Sequence, residues 1–177
     1  QKDTEITGPI AMRLNVSSST DDADLFVVMR AFAPDMKEIV FMGALDPHTP
    51  IGQGWLRVSH RKTDPSKSLP YRPWHTHDEK QLIEPNQIYP VDIEIWPTCL
   101  VVPKGYRVGV SVRGQDYIYT GGSGGRLSNM KNEFRGCGPF LHDDPRDRPM
   151  SRYGGTTTIH FGEGKENWIL LPVIPEA

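Results

Sequence analysis

His75 and His77 stand two positions apart in the stretch YRPWHTHDEK, residues 71–80, with Trp74 before them and Asp78 and Glu79 behind. Alternate side chains of an extended segment share a face, so this spacing presents two imidazoles together, as a first-row metal would need from two of its ligands. A second set reads GGSGG at residues 121–125. It fits the G-x-S-x-G pattern of a serine nucleophile, with Asp143 or Asp144 and then His160 following in the order Ser, Asp, His. A third set gathers Asp21, Asp22 and Asp24 in SSSTDDAD, residues 17–24, hard oxygen ligands of the kind Ca²⁺ takes. Residues 140–149, FLHDDPRDRP, set His142, Asp143 and Asp144 beside Arg146 and Arg148.

Each of these chemistries needs a context, and the chain withholds it. The cupins, which use two histidines at this spacing, carry a Glu four or five residues after the second His and a further His after a Pro-x-Gly turn. Here Gln81 and Leu82 occupy the first positions, and Val108 lies three residues beyond Gly105. The histidines therefore read as a hydrogen-bonded structural patch, each neutral ring offering one donor and one acceptor. Pro70 and Pro73 stiffen the approach to it into an extended path. A serine nucleophile needs a strand running into a long helix that holds Oγ against an oxyanion hole. Nothing around Ser123 supplies that, and the glycine run reads as a flexible loop. The aspartates lack the residue order of an EF-hand and read as a solvated inter-strand loop. Residues 140–149 read as neutralised ion pairs in a rigid loop. No metal, cofactor or catalytic residue is expected in this chain.

Short strands must position these residues. Gly 17 and Pro 16 are spread along the chain, which divides it into many short elements. Ile10, Met12, Leu14 and Val16 alternate with Ala11, Arg13 and Asn15, the pattern of a half-buried strand. Residues 25–32, LFVVMRAF, are almost continuously apolar and read as a central strand covered on both faces. Residues 38–42 can hairpin back onto it. Residues 55–61, WLRVSHR, put Leu56, Val58 and His60 on one face of a further strand. Val91, Ile93 and Ile95 alternate next. Beyond the turn Pro103-Lys104-Gly105 come Tyr106, Val108, Val110 and Val112, and residues 156–161 and 168–173 close the chain as two more strands. About eight strands without a long amphipathic helix predict an all-β, two-sheet antiparallel sandwich, specifically a jelly roll. Leu127, Met130 and Phe134 have helical spacing for a turn or two, stopped by Gly136 and Gly138.

At 177 residues the chain, residues 1–177, is the size of one domain. Lys+Arg 20 against Asp+Glu 22 leaves a formal charge of -2, so no basic excess points to nucleic acid. No apolar run approaches the roughly 18 residues a bilayer span needs, and no charged-then-apolar leader opens the sequence, so no membrane partner is expected. Strand-like sequence begins within a few residues of Gln1, which suggests a piece of something longer with a domain upstream. Cys99 and Cys137 are too few for a disulfide framework and do not fix the compartment, though a cytoplasmic one is favoured. The sequon Asn15-Val16-Ser17 lies inside a strand pattern and carries no weight.

Residues 54–61 (GWLRVSHR), Asp64-Pro65, residues 68–77 (SLPYRPWHTH) and residues 90–98 (PVDIEIWPT), in this order, carry a resemblance that spans nearly the whole chain. They resemble the C-terminal domain of X-prolyl dipeptidyl-peptidases and cocaine-esterase-like (CocE/NonD) hydrolases, as do residues 140–149 and the ending LLPVIP. The resemblance implies a jelly roll of galactose-binding-like topology, attached after an α/β-hydrolase domain that holds the catalytic Ser, Asp and His. No residue of this chain matches those catalytic motifs. It further implies a non-catalytic accessory domain that packs on the hydrolase core and helps shape its cleft. The parent would hydrolyse an ester or amide through a serine, release of X-Pro dipeptides included. The partner implied is the upstream hydrolase domain of the same protein, and a homo-oligomer is compatible with it. The residues assigned to interdomain or cleft contact are Tyr71, Arg72, Trp74, His75, His77, Asp78, His142, Asp143 and Asp144. Tyr106, where His is expected, and residues 121–125 depart from the family pattern. The alternative, from another class, is a free-standing carbohydrate-binding module using Trp55, Trp74 and Trp96 as stacking faces, although sandwich aromatics are more often core.

Overall fold

The structure is a computed structural model and describes residues 2–43, 45–121, 134–139 and 141–175. The glycine run at 121–125, apart from Gly121, and the helical spacing at Leu127 and Met130 lie outside the described residues. In chain order the elements are β1 (Thr4–Ser18), β2 (Asp24–Phe32), β3 (Glu38–Ile39), β4 (Gly52–Arg57), β5 (Tyr89–Val102), β6 (Arg107–Arg113), α1 (Met150–Tyr153), β7 (Thr157–Ile159) and β8 (Trp168–Leu170). They form two antiparallel sheets. In one, β1 lies between β5 on one side and the short β7 and β8 on the other. In the other, β2 is central, with β4 and β3 along one edge and β6 along the other. The predicted all-β sandwich is the observed architecture.

The period-two patterns explain which faces meet. Ile10, Met12, Leu14 and Val16 of β1 and Val91, Ile93 and Ile95 of β5 join Leu25, Val27, Met29 and Ala31 of β2 in one buried core. Each fully buried aliphatic side chain contributes about 1.5–3 kcal/mol, which makes this face the main stabilising feature. β2 is buried on its second face too, through Phe26 and Val28, as its continuous apolar run predicts. Val108 and Val112 of β6 pack on the core, whereas Val110, on the same face, stays exposed on this outlying strand.

Two local features shape the surface. Gly8 pairs with Thr98 and Ile10 with Ile95, so Pro9 faces both Trp96 and Pro97 across a β-bulge. The extra residue reverses the phase of β5: its buried side chains pass from Val91, Ile93 and Ile95 to Thr98 and Val102, and Trp96 is turned outward at 62% exposure. At the seam between the sheets β4 runs against β5. A methyl group on Gly54 would collide with the Glu94 carbonyl oxygen and lie 3.0 Å from Ile95 Cα, so the sheets close here only over a glycine.

Three expectations are corrected. The strand expected over residues 55–61 stops at Arg57, and Val58–His60 forms a 3-10 turn, so His60 does not share a strand face with Leu56 and Val58. The cause is Asp22. Its carboxylate, 1% exposed, accepts hydrogen bonds from Ser59 N at 2.9 Å and Ser59 Oγ at 2.7 Å, while Val58 N donates to the Ala23 carbonyl at 2.8 Å. Secondly, the aspartate loop is not solvated. Asp22 also accepts from Ala23 N and Tyr153 Oη, Asp24 is buried in ion pairs with Arg57 and Arg148, and Asp21 is held by Arg152, leaving no oxygen set for a cation. Thirdly, β7 and β8 are shorter than the alternation suggested, and α1, which follows Pro149, was not foreseen.

Candidate functional site

A long excursion between the 3-10 turn and β5 brings the paired histidines into place. Leu69 and Arg72 exchange backbone hydrogen bonds of 3.0 and 2.9 Å, which makes Pro70-Tyr71 the tip of a tight hairpin. Asp64 N donates to the Trp74 carbonyl at 2.9 Å, and Thr63 pairs with His75 at the base. His75 Nε2 lies 3.0 Å from the Asp92 carbonyl and donates to it, docking the excursion on β5. Burial lowers the His75 pKa, the neighbouring His77 and His60 push the same way, and the Asp92 carbonyl acts against them.

His60 completes this cluster, and its part was not legible in the sequence. Its Nδ1 lies 3.2 Å from His77 Nδ1, so one ring donates and the other accepts; the His75 ring centroid is 6.0 Å from that of His77. His77 occupies the left-handed region at φ 52°. Beyond it Asp78 accepts from Thr76 Oγ1 at 2.5 Å and from Lys62 Nζ at 3.0 Å, which together hold its pKa down at about 2. These rings line a cleft of about 400 Å³ with Glu94, Asp147 and Arg148. Among the described residues no three His, Cys, Asp or Glu side chains converge to hold a metal ion. His75, His77 and Asp78 are each hydrogen-bonded here, and His60 joins them through His77.

Trp55 and Trp96 divide this polar cleft from a second cavity. The second measures about 570 Å³ and is walled by Leu45, Trp55, Trp96, Pro139, the glycine backbone at 136 and 138, and His142. Asp46 builds the glycine wall: its Oδ2 accepts from Gly136 N at 2.6 Å and Gly138 N at 2.8 Å. Cys137 faces the same space as a protonated thiol, since burial and the nearby Asp116 raise its pKa to about 11. Both cysteines are free. His142 is oriented by Asp116, which accepts from its backbone N at 2.6 Å and from Nδ1 at 2.9 Å. Nothing in the local sequence pairs these two, because they come from separate loops.

The residues singled out from sequence therefore fall into three places. His75, His77 and Asp78 lie together in the polar patch. Tyr71, Arg72 and Trp74 lie toward the hairpin tip, where Arg72 and Lys67 each approach the Trp74 ring within 6 Å. His142 lines the apolar cavity, Asp143 is exposed, and Asp144 pairs with Arg146 at 2.7 Å in a turn, which lowers its pKa. The Ser, Asp, His sequence is not assembled among the described residues: His160 Nε2 is 2.8 Å from Ser17 Oγ of β1, and Ser123 lies outside them. Asn15 of the sequon is buried with its side chain donating to the Glu166 carbonyl.

Comparison with known proteins agrees with this anatomy. Residues 1–169 match the X-Pro dipeptidyl-peptidase C-terminal non-catalytic domain. Two crystal structures of a CocE/NonD family hydrolase from Staphylococcus aureus, one at 1.95 Å, each align with a TM-score of 0.77 and 27% identity. The alignments cover 98% of this chain and 29% of that one, so the chain spans under a third of the length of that hydrolase. No curated protein matches it. The chain belongs to the family of X-Pro dipeptidyl-peptidase C-terminal non-catalytic domains, whose fold here is that of a domain of CocE/NonD hydrolases.

Proposed function

We propose that this domain serves a CocE/NonD-type serine hydrolase by packing on an upstream α/β-hydrolase domain of the same protein and helping to shape its cleft. The whole protein would then cleave an ester or amide, X-Pro dipeptide release being one form of that reaction. The observation that carries the reading is the apolar surface around the second cavity. Trp96 is 62% exposed and Leu45 49%, and Met42 and Leu141, next in sequence to lining residues, are 66% and 60% exposed. Large apolar side chains gathered in this way mark a contact surface. The neighbouring histidine patch suits the polar part of such a contact, since interfaces between domains are more polar than cores. On this reading Tyr71, Arg72, Trp74, His75, His77, Asp78, His142, Asp143 and Asp144 are the contact residues.

A free-standing carbohydrate-binding module is less well supported. Trp74 carries Lys67 and Arg72 over its ring, and Trp55 and Trp96 are packed edge to face against each other. Hydrogen–deuterium exchange on the full-length protein and on the 177-residue chain tests the docking. Protection of the segments around Trp96 and His142 in the full-length protein alone is expected. Equal exchange in the two would overturn the reading.

A further inference from the structure

We propose that His60 and His77 form a two-imidazole chelate for a late first-row divalent ion of the Zn²⁺ class, through the Nδ1 atom of each ring. The two Nδ1 atoms lie 3.2 Å apart, with ring centroids at 5.3 Å. Zn–N bonds of roughly 2.0–2.1 Å meeting at the tetrahedral angle put two ligand nitrogens about 3.3 Å apart, so one ion can reach both with little movement of either ring.

Local spacing pairs His77 with His75, and on that pair no metal is expected; His75 Nε2 is held by the Asp92 carbonyl. The fold pairs His77 with His60 instead, and at φ 52° His77 leaves the extended path. Neighbouring backbone holds both ligands in place. Ser59, next to His60, is fixed on the buried Asp22 carboxylate through N and Oγ, and Thr76, next to His77, donates from its N to the Lys62 carbonyl at 3.1 Å. Such preorganisation lowers the ordering cost of closing a chelate. The proton of the bridging N–H···N bond is no obstacle. Whichever ring donates, tautomerisation moves its proton to Nε2, and neither Nε2 has a partner among the described residues.

The surroundings select a cation of this class. Glu94 lines the same cleft, half-buried, with no hydrogen bond or ion pair among the described residues. The guanidinium groups of Arg57 and Arg148 in the cleft are engaged by Asp24 and Asp147. An anion would therefore meet a free carboxylate and no unengaged guanidinium. Ca²⁺ and Mg²⁺ take oxygen ligands, whereas imidazole nitrogens suit Zn²⁺, Ni²⁺ and Cu²⁺. No third His, Cys, Asp or Glu converges with the pair among the described residues, so water completes the coordination. Since His77 is one of the contact residues proposed above, the ion would sit in the polar part of that contact; this consequence rests on the docking reading, whereas the chelate needs only this chain's own nitrogens.

The test titrates the EDTA-treated 177-residue chain with zinc chloride at about pH 7.5, where ordinary imidazoles are mostly neutral, following the heat of binding and the ring ¹⁵N resonances. Saturable one-to-one binding is expected, with the Nδ1 resonances of His60 and His77 shifting and those of His142 and His160 unmoved. His60→Gln and His77→Gln should each weaken binding by about tenfold or more, and Ca²⁺ should move neither resonance. No saturable binding up to about 1 mM Zn²⁺, unmoved Nδ1 resonances, or binding retained in both variants overturns the proposal; the wild-type resonances decide even if a variant fails to fold. Zn²⁺ bound in this way by a chain whose hydrogen–deuterium exchange equals that of the full-length protein would leave the chelate standing and overturn the docking alone.

Discussion

Trp55 of β4 and Trp96 of β5 meet edge to face, with ring centroids 5.0 Å apart and planes at 73°, where β4 packs against β5 at the seam between the sheets. Such a pair contributes about 0.5–1.5 kcal/mol beyond the area it buries. Its larger consequence is geometric: both indoles border the histidine cleft and the apolar cavity, so one aromatic ridge separates two chemically different recesses. The pair exists because Gly54 lets β4 approach β5 and the bulge at Trp96-Pro97 turns Trp96 outward.

Gly54→Ala should therefore be costly. The added methyl meets backbone that cannot move without parting the sheets, and a loss of about 1–3 kcal/mol or more is expected. Gly114→Ala is the control, since a methyl there meets nothing within 4 Å. Urea denaturation should give a lower midpoint for the first and an unchanged or slightly higher one for the second. Equal midpoints would disprove the close approach.

Asp22→Ala should destabilise the fold by about 3 kcal/mol, because Ser59 N, Ser59 Oγ, Ala23 N and Tyr153 Oη all lose their acceptor. The 3-10 turn that carries His60 depends on the same carboxylate, so the His60 and His77 resonances should shift together in two-dimensional spectra. A variant of wild-type stability with unmoved histidine signals would contradict this.

His75 makes stability depend on pH in one direction. Burial lowers its pKa in the fold, while the unfolded chain titrates near 6.5. As pH falls through that value the unfolded state takes up a proton that the folded state resists, so the stability present above it is progressively lost and levels off below the folded pKa. His75→Gln keeps an N–H for the Asp92 carbonyl and removes the titration. Thermal melts between roughly pH 7 and pH 5 should fall less steeply for the variant than for the wild type. Identical slopes would rule His75 out as the source.

The 177-residue chain alone should not hydrolyse p-nitrophenyl esters. His160, the histidine that follows Ser123 and Asp143 in the required order, is bonded to Ser17 Oγ within the sheet. A rate that disappears in Ser123→Ala would show that a nucleophile is assembled after all.

The sequence by itself determined the sandwich, its core and its family, because each rests on information carried locally. Alternation at Ile10, Met12, Leu14 and Val16 or at Val91, Ile93 and Ile95 dictates a buried face whichever strand pairs with it, and the order of short motifs from Gly54 to Thr98 needs no coordinates. The histidine pair at 75 and 77 was legible for the same reason. The tertiary structure decided what surrounds those elements. Asp22, read locally, is a loop aspartate; only Ser59 and Tyr153, brought from distant segments, turn it into a buried acceptor that ends β4 and delivers His60 to His77. The bulge that exposes Trp96 follows from the register of β1 against β5, and the Asp116–His142 pair from two loops meeting over Phe26. Burial and hydrogen-bond partners set by distant chain segments have no local periodicity, so no pattern in the residues around Asp22, Trp96 or His142 could announce them.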